Sequence, residues 1–262
     1  RNRRLSLRSI PKASDMSAQK KSVLILGASS DIARAIAAEF ARKGYNIMLA
    51  GRDTGWLDRD ASDMTLRFQI ETTVHKFDAL DLEGHEAFFD ALPTVPSIVV
   101  CAVGLLGDQA ADLQDPAAVR RIIDTNFTGP AHALEVAARR LAETEDDTAI
   151  VGIGSVAGDR GRAKNYLYGA AKAGFGEYLS GMRQKYVQSR LHVMTVKPGF
   201  VATAMTEGMD LPGPLTSTPE KFAKNVVRAL DKRRMVYYDL RWRVLMGVIT
   251  HLPERIFVRT KF

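Results

Sequence analysis

Tyr168 and Lys172 stand four residues apart, with Ser155 thirteen residues upstream and Asn126 earlier still. On a helix, positions i and i+4 share one face, so the phenol and the ammonium would lie together. An unperturbed phenol, with a pKa of about 10, is too weak an acid or base to be ideal at neutral pH. A lysine ammonium close by, together with an oxidised hydride carrier, stabilises the phenolate and draws that value down. A serine hydroxyl can hold an oxygen on which negative charge develops. The set fits a proton moved by Tyr168 while a hydride moves elsewhere, with Ser155 on the reacting oxygen. Tyr-x-x-x-Lys alone is weak: the chain has seven tyrosines. Each has a roughly one-in-sixteen chance of a lysine four residues on, which gives about 0.4 accidental matches. Order and spacing make the pattern specific.

Positioning these residues requires a sheet edge and a helix. Strand-like runs at 22–26, 46–50, 74–77, 97–102, 148–153, 192–197 and 235–238 alternate with helical patterns. That alternation predicts an α/β fold, a single-domain Rossmann-like, doubly wound parallel sheet with helices on both faces. At 262 residues and 46% apolar content, the chain can bury one good core. Ser155 leaves the carboxyl end of the 148–153 strand, the edge at which open α/β sheets bind ligands. Asn126 falls inside a helical pattern, where asparagine is a poor choice, and so calls for a function or a local kink.

After the first strand comes Gly27-Ala28-Ser29-Ser30-Asp31-Ile32-Ala33, then a helix to about residue 43. A small-residue turn entering a helix lets backbone N–H groups and the positive helix end meet a pyrophosphate. With these motifs the chain resembles the short-chain dehydrogenase/reductase family, whose turn usually reads Thr-Gly-x-x-x-Gly-x-Gly. Gly27 keeps the first glycine, while Asp31 and Ala33 replace the other two. A carboxylate at 31 would repel a pyrophosphate unless it turns outward to cap the helix. Ser29, Ser30 and Ile32 would then carry part of the phosphate contact.

The resemblance implies a nicotinamide cofactor and assigns further residues. Strand two ends Leu49-Ala50-Gly51-Arg52 with no acid at its tip. Arg52 suits a ribose 2′-phosphate, so NADP(H) is favoured over NAD(H), with Asp53 next door as the opposing sign. Asp78 matches the family's acid near the adenine amino group; its alternative is a turn residue. Cys101-Ala102-Val103-Gly104 departs from the usual Asn-Asn-Ala-Gly but keeps Gly104 beside the cofactor. Asn126 matches the family's mid-helix asparagine, which holds a water linking the catalytic lysine to solvent. Lys172 would also hold the nicotinamide ribose. Pro198 and Gly199 match the family's turn after the sixth strand, with Val201 and Thr203 placed to meet the nicotinamide carboxamide. The implied activity is reduction of a ketone to an alcohol, with Asn126, Ser155, Tyr168 and Lys172 catalytic.

Composition excludes other classes. The net charge of +7 is concentrated at the ends: residues 1–21 carry +6 (seven Arg/Lys, one Asp) and 228–262 another +6 (nine Arg/Lys, three Asp/Glu), leaving −5 between them. Neither end holds a nucleic-acid-binding motif, so no nucleic-acid partner is expected. Cys101 is the only cysteine, which excludes an intramolecular disulfide and suits a reducing cytosol. The five histidines lack metal-ligand spacing, and no metal is predicted. Residues 1–20 read as a basic, disordered extension. Their first fifteen are Arg- and Ser-rich like a targeting peptide, and Met16 is a credible start. Residues 21–239 form the NAD(P)-binding domain and 240–262 a basic amphipathic segment.

Residues 204–218 have the composition of a lid, with Met205, Met209 and Leu211 offering adaptable apolar surface. Asp159, Arg160 and Arg162 either meet a polar or anionic substrate group or face solvent. Trp242, Leu245, Met246, Ile249 and Leu252 fall on one helical face. That helix either packs on its own fold or a subunit interface, or lies on the inner face of a membrane. SVAGDRGR, YGAAK, VKPGF and this ending resemble a bacterial subgroup that includes polyprenylphosphoryl keto-sugar (2-ulose) reductases, which implies a lipid-linked carbonyl substrate. A generic small-carbonyl reductase or alcohol dehydrogenase is the nearest rival, and a catalytically silent dinucleotide sensor or scaffold a rival of another class. A homo-oligomer is expected.

Overall fold

Ser22–Leu26 is a fully buried strand, β1, whose side chains alternate between two cores: Val23 and Ile25 face one, Leu24 and Leu26 the other. Two-sided burial is what a run without polar alternation requires. The computed structural model describes residues 20–260; of the extension expected at 1–20, all but the last residue lies outside the described residues.

From β1 the chain runs through α1 (Asp31–Arg42), β2 (Asn46–Gly51), α2 (Thr54–Phe68), β3 (Thr72–Lys76), α3 (His85–Asp90) and β4 (Ile98–Cys101). The second half holds α4 (Gln109–Asp112), α5 (Pro116–Ile123), α6 (Gly129–Ala142), β5 (Thr148–Ile153), α7 (Tyr166–Lys185) and β6 (Leu191–Lys197). Then come β7 (Phe200–Val201), β8 (Thr216–Ser217), α8 (Pro219–Asp231), β9 (Val236–Tyr238), α9 (Leu240–His251) and α10 (Glu254–Phe257). Among the described residues one seven-stranded sheet has the order β3-β2-β1-β4-β5-β6-β9, every neighbouring pair parallel. β7 and β8 form a separate parallel pair. This is the Rossmann-like, doubly wound arrangement that the sequence pattern predicts.

Phe40, Leu57 and Phe222 help to cover one face of the sheet; Leu134, Phe175 and Leu179 help to cover the other. Each such side chain contributes roughly 1.5–3 kcal/mol on burial, so the sheet edge above them has a rigid base. Strand limits differ from the sequence pattern mainly at β3, expected at 74–77 and found at Thr72–Lys76. β3 is an edge strand of half-buried side chains, which lacks the apolar run that marks the central strands.

Candidate active site

The glycine turn sits where β1 meets β4. Gly27 has φ +77°, and a Cβ there would stand 2.9 Å from the Val103 nitrogen, so only glycine lets the two strand ends approach this closely. Ser30 caps α1, its hydroxyl accepting the Ala33 N–H at 3.2 Å. The cap is thus Ser30 and not Asp31. Asp31 occupies the first helical turn with its carboxylate turned aside, ion-paired to Arg34 at 2.7 Å and accepting the Ala204 N–H at 2.8 Å. These contacts, led by the Ala204 hydrogen bond, hold Asp31 below the usual carboxylate range. Ser29 is exposed, and Ile32 is half-buried against the core. Apart from the Ala33 N–H taken by Ser30, the first N–H groups of α1 have no partner inside the helix.

At the tip of β2, Arg52 is exposed, while Asp53 caps α2 by accepting the Trp56 N–H at 3.2 Å. Asp78 is exposed and accepts the Leu80 N–H at 3.0 Å. That is the turn role weighed against an adenine contact. Cys101 is buried, and burial pushes its thiol up to about 11, which suits a packed side chain rather than a nucleophile.

Asn126 is fully buried at the centre of a π-helical turn, Asp124–Thr128, between α5 and α6. The wide turn is the kink that the asparagine signalled: its Nδ2 donates to the Ile122 carbonyl at 2.9 Å and to the Leu105 carbonyl at 2.7 Å. Its Oδ1 accepts the Leu105 N–H at 3.1 Å. Asn126 therefore pins the chain just past β4, where Gly104 is 3.2 Å, measured from an ideal Cβ, from both Asn126 Oδ1 and Lys172 Nζ.

Ser155 leaves β5 and starts a 3-10 turn, its hydroxyl accepting the Ala157 N–H at 3.0 Å. Tyr168 and Lys172 lie in the first half of α7, with the Lys172 Nζ 5.9 Å from the Tyr168 ring centre. Lys172 is 4% exposed and donates to the carbonyls of Val103 at 3.3 Å and Ile153 at 3.2 Å. Burial pulls its ammonium down to about 8. Burial pushes the Tyr168 phenol up to about 12, opposed by hydrogen bonding with Ser155 and by the Arg162 charge. Removal from water outweighs those two effects at Tyr168.

Pro198 joins the site through its carbonyl, which accepts the Val156 N–H at 3.0 Å. Gly199 follows it, and Val201 is buried in β7. Thr203 begins a second 3-10 turn in a reciprocal cap with Thr206. The lid residues Met205 and Met209 are exposed, as composition suggested, while Thr216 and Ser217 pair with β7. Asp159 and Arg160, which follow Ser155, take partners within the fold. Asp159 pairs with Lys197 at 2.5 Å and accepts the Tyr238 hydroxyl at 3.0 Å; Arg160 reaches the end of α9. Arg162 is half-buried and acts on Tyr168 through its charge.

Sequence reasoning missed Gln109, whose amide accepts the Leu167 N–H at 3.0 Å and donates to the Ala163 carbonyl at 2.6 Å, steadying the start of α7. No local signal marks it. Thr206 was missed as well: it sits at capping-box spacing from Thr203, but in place of the usual Glu or Gln. The Trp242 face of α9 is buried against the protein itself. That leaves Leu240, Val244 and Val248 as its exposed apolar side chains. No described helix is long and apolar enough to cross a membrane, and no cluster of metal-ligating side chains occurs among the described residues.

The short chain dehydrogenase family matches residues 21–211. An uncharacterized oxidoreductase of Mycobacterium tuberculosis is 33% identical over 247 residues, covering 90% of this chain and 96% of that protein. Two solved structures share the fold, each with a TM-score of 0.74 and 24% identity. One is a short-chain dehydrogenase from Sphingobium yanoikuyae in complex with NADPH, covering 89% of this chain and 97% of that one. The other is the bulky-bulky ketone specific alcohol dehydrogenase from Comamonas testosteroni, covering 90% and 96%. With Ser155, Tyr168 and Lys172 gathered at the carboxyl edge of a Rossmann-like sheet, the chain belongs to the short-chain dehydrogenase/reductase family of oxidoreductases.

Proposed function

We propose that this protein reduces a ketone with NADPH as hydride source and Tyr168 as proton donor. The observation that carries the reading is a half-buried phenol in hydrogen-bonding relation to Ser155, one helical turn from a buried lysine. A phenol pushed up to about 12 is protonated at neutral pH, the form a donor needs. Tyr168 gives its proton to the carbonyl oxygen, and Ser155 holds that oxygen by a hydrogen bond that strengthens as charge develops. The Lys172 ammonium, kept near the phenol by the Val103 and Ile153 carbonyls, offsets the phenolate left behind. Asn126 fixes the Gly104–Leu105 backbone beside that ammonium.

The Gly27 turn, Ser29, Ser30 and Ile32 would hold the pyrophosphate, and Arg52 the ribose phosphate, with Asp31 neutralised by Arg34. Asp78 would meet the adenine, Lys172 the nicotinamide ribose, and the Pro198–Gly199 turn, Val201 and Thr203 the carboxamide. When bound, the reduced nicotinamide supplies the hydride. Supporting a lipid-like or lipid-linked substrate, the exposed stripe Leu240, Val244 and Val248 lies among exposed Arg241 and Arg243, a surface suited to an anionic membrane.

The test is titration of the protein with NADPH and NADH by nicotinamide fluorescence, followed by a carbonyl screen with wild type and Tyr168→Phe. NADPH binding should be equal in the two, with turnover lower in Tyr168→Phe by about 100- to 10,000-fold. Equal turnover sinks the assignment. Tight dinucleotide binding without any reduction favours a sensor.

A further inference from the structure

The loops that carry the site converge on α9. Val156, next to Ser155, is buried in one cluster with Trp242, Met246 and Ile249, and Phe200, Leu215 and Phe257 pack against it. Trp242 is 2% exposed, and its ring lies 2.0 Å from where a Cβ on Gly199 would stand. The ring thus fills the side-chain space of the Pro198–Gly199 turn. Its Nε1 donates to the Leu215 carbonyl at 2.8 Å, and Arg241 donates to the Pro214 carbonyl, which secures the end of the lid segment.

Arg160, five residues after Ser155, grips the opposite end of the same helix. Its guanidinium donates to the carbonyls of Ile249 at 2.8 Å, Thr250 at 3.4 Å and Leu252 at 2.6 Å, and pairs with Glu254 at 2.6 Å. It also lies 4.0 Å from the Phe257 ring centre, with only 13% of the side chain exposed. The last carbonyls of a helix are its negative end, where a cation is favoured. One terminal nitrogen of the guanidinium faces all three carbonyls while the other takes Glu254, so the planar group joins the helix end and the acid beyond it.

We propose that residues 240–258 are a brace of the active site, in which Arg160 and Trp242 are positioning residues. They hold the Ser155–Tyr168 loop and the Pro198–Gly199 turn in one fixed relation. The inference rests on the reduction proposed for Tyr168, because that chemistry needs the donor and the nicotinamide end of the site aligned on the same carbonyl. Misplacement on the order of 1 Å is enough to cost about a hundredfold in rate.

The test starts from Trp56→Phe, which leaves Trp242 as the only tryptophan of the two in the chain. Trp56 is half-exposed and lies outside the braced loops. Into this background go Arg160→Ala, Arg160→Lys, and the double change Glu254→Gln with Phe257→Ala, which loosens the grip from its other side. Acrylamide quenching of Trp242 and kcat per NADPH-binding site are then read together. The brace predicts Trp242 quenching raised about twofold or more in Arg160→Ala and in the double variant. In the same proteins kcat per site falls about tenfold or more, with NADPH affinity within about threefold. Arg160→Lys should recover part of the loss.

A helix that merely covers the core would lower the melting temperature and leave kcat per NADPH site unchanged, and that result overturns the brace. If Arg160→Ala does not fold, the double variant decides on the same readouts. Should wild type bind NADPH but reduce no carbonyl, the assigned reduction fails, and unchanged Trp242 quenching in the variants would separately overturn the brace.

Discussion

Asp31 Oδ2 accepts the backbone N–H of Ala204 at 2.8 Å and so ties the first turn of α1 to the start of the lid segment. Its other oxygen is taken by Arg34 at 2.7 Å, and that guanidinium also lies 5.0 Å from the Trp56 ring centre. A carboxylate that the glycine pattern marks as a threat to phosphate binding is therefore a partly neutralised link between two walls of the site. Its pKa is held low, first by the Ala204 hydrogen bond. The tie is present above the ordinary carboxylate value of about 4 and is lost as pH falls through the lower folded value.

Asp31→Ala should free the lid root. Amide exchange in the peptide covering 203–209 should rise, with the central strands unchanged. Global stability should fall by only about 1 kcal/mol, since the pair is partly solvated. NADPH should bind within about tenfold of wild type. A loss of all binding would mean that Asp31 holds the pyrophosphate turn itself.

Lys172 sets a pH dependence whose sign can be worked out. Burial pulls its ammonium from the ordinary 10.5 down to about 8. Between those values the unfolded chain binds the extra proton and the native protein does not, so this group makes stability rise with pH across that window. The cost of burying its charge is full below about pH 8, on the order of 3 kcal/mol at most. Denaturant melts from pH 7 to pH 10 should show the Lys172→Met variant losing its relative advantage, or gaining a relative deficit, as pH rises. A wild-type minus variant difference flat across that range would refute the assignment. Turnover of the variant should be abolished at every pH.

Arg52 and Asp53 make opposite predictions about cofactor choice. Asp53 is engaged as the cap of α2, so Asp53→Ala should cost about 1 kcal/mol of stability with little change in the NADPH to NADH preference. Arg52→Ala should weaken NADPH by about 10- to 100-fold and leave NADH within about twofold, as loss of one charge-assisted phosphate contact requires. Equal weakening of both nucleotides would remove Arg52 from the 2′-phosphate.

What was legible in the sequence was local. The apolar runs of β1, β5 and β6 mark themselves because both faces of the sheet are covered, and Tyr168 and Lys172 announce their shared face by spacing alone. Asn126 gave itself away as a misfit in a helix, and a π turn answers it. The remaining features depend on partners far along the chain. Arg160 read as a substrate contact or a solvated charge until α9, some ninety residues later, supplied its acceptors. Asp31 read as a liability because nothing near it names Ala204. The upward push on the Tyr168 phenol comes first from burial, a tertiary fact that spacing along the chain does not carry.

The amphipathic pattern of α9 also changes its meaning once the fold is known. The Trp242 face, which the sequence leaves to either the protein's own fold or a bilayer, packs on Val156 and Phe200, and the exposed side chains Leu240, Val244 and Val248 stand at i, i+4 and i+8 on the other side. Arg241 and Arg243 flank that stripe, and Arg255 and Arg259 continue the positive charge past α9 with Ile256 and Val258 exposed among them. If this surface meets lipid, binding needs both apolar insertion and anionic headgroups. Val244→Asp with Val248→Asp should then abolish co-sedimentation with phosphatidylglycerol vesicles, while leaving reduction of a water-soluble ketone unchanged because both side chains point away from the site. Added salt should weaken wild-type binding, and uncharged phosphatidylcholine vesicles should not support it. Wild-type protein that stays in the supernatant with anionic vesicles at low salt would end the membrane reading and return the substrate to small soluble carbonyls.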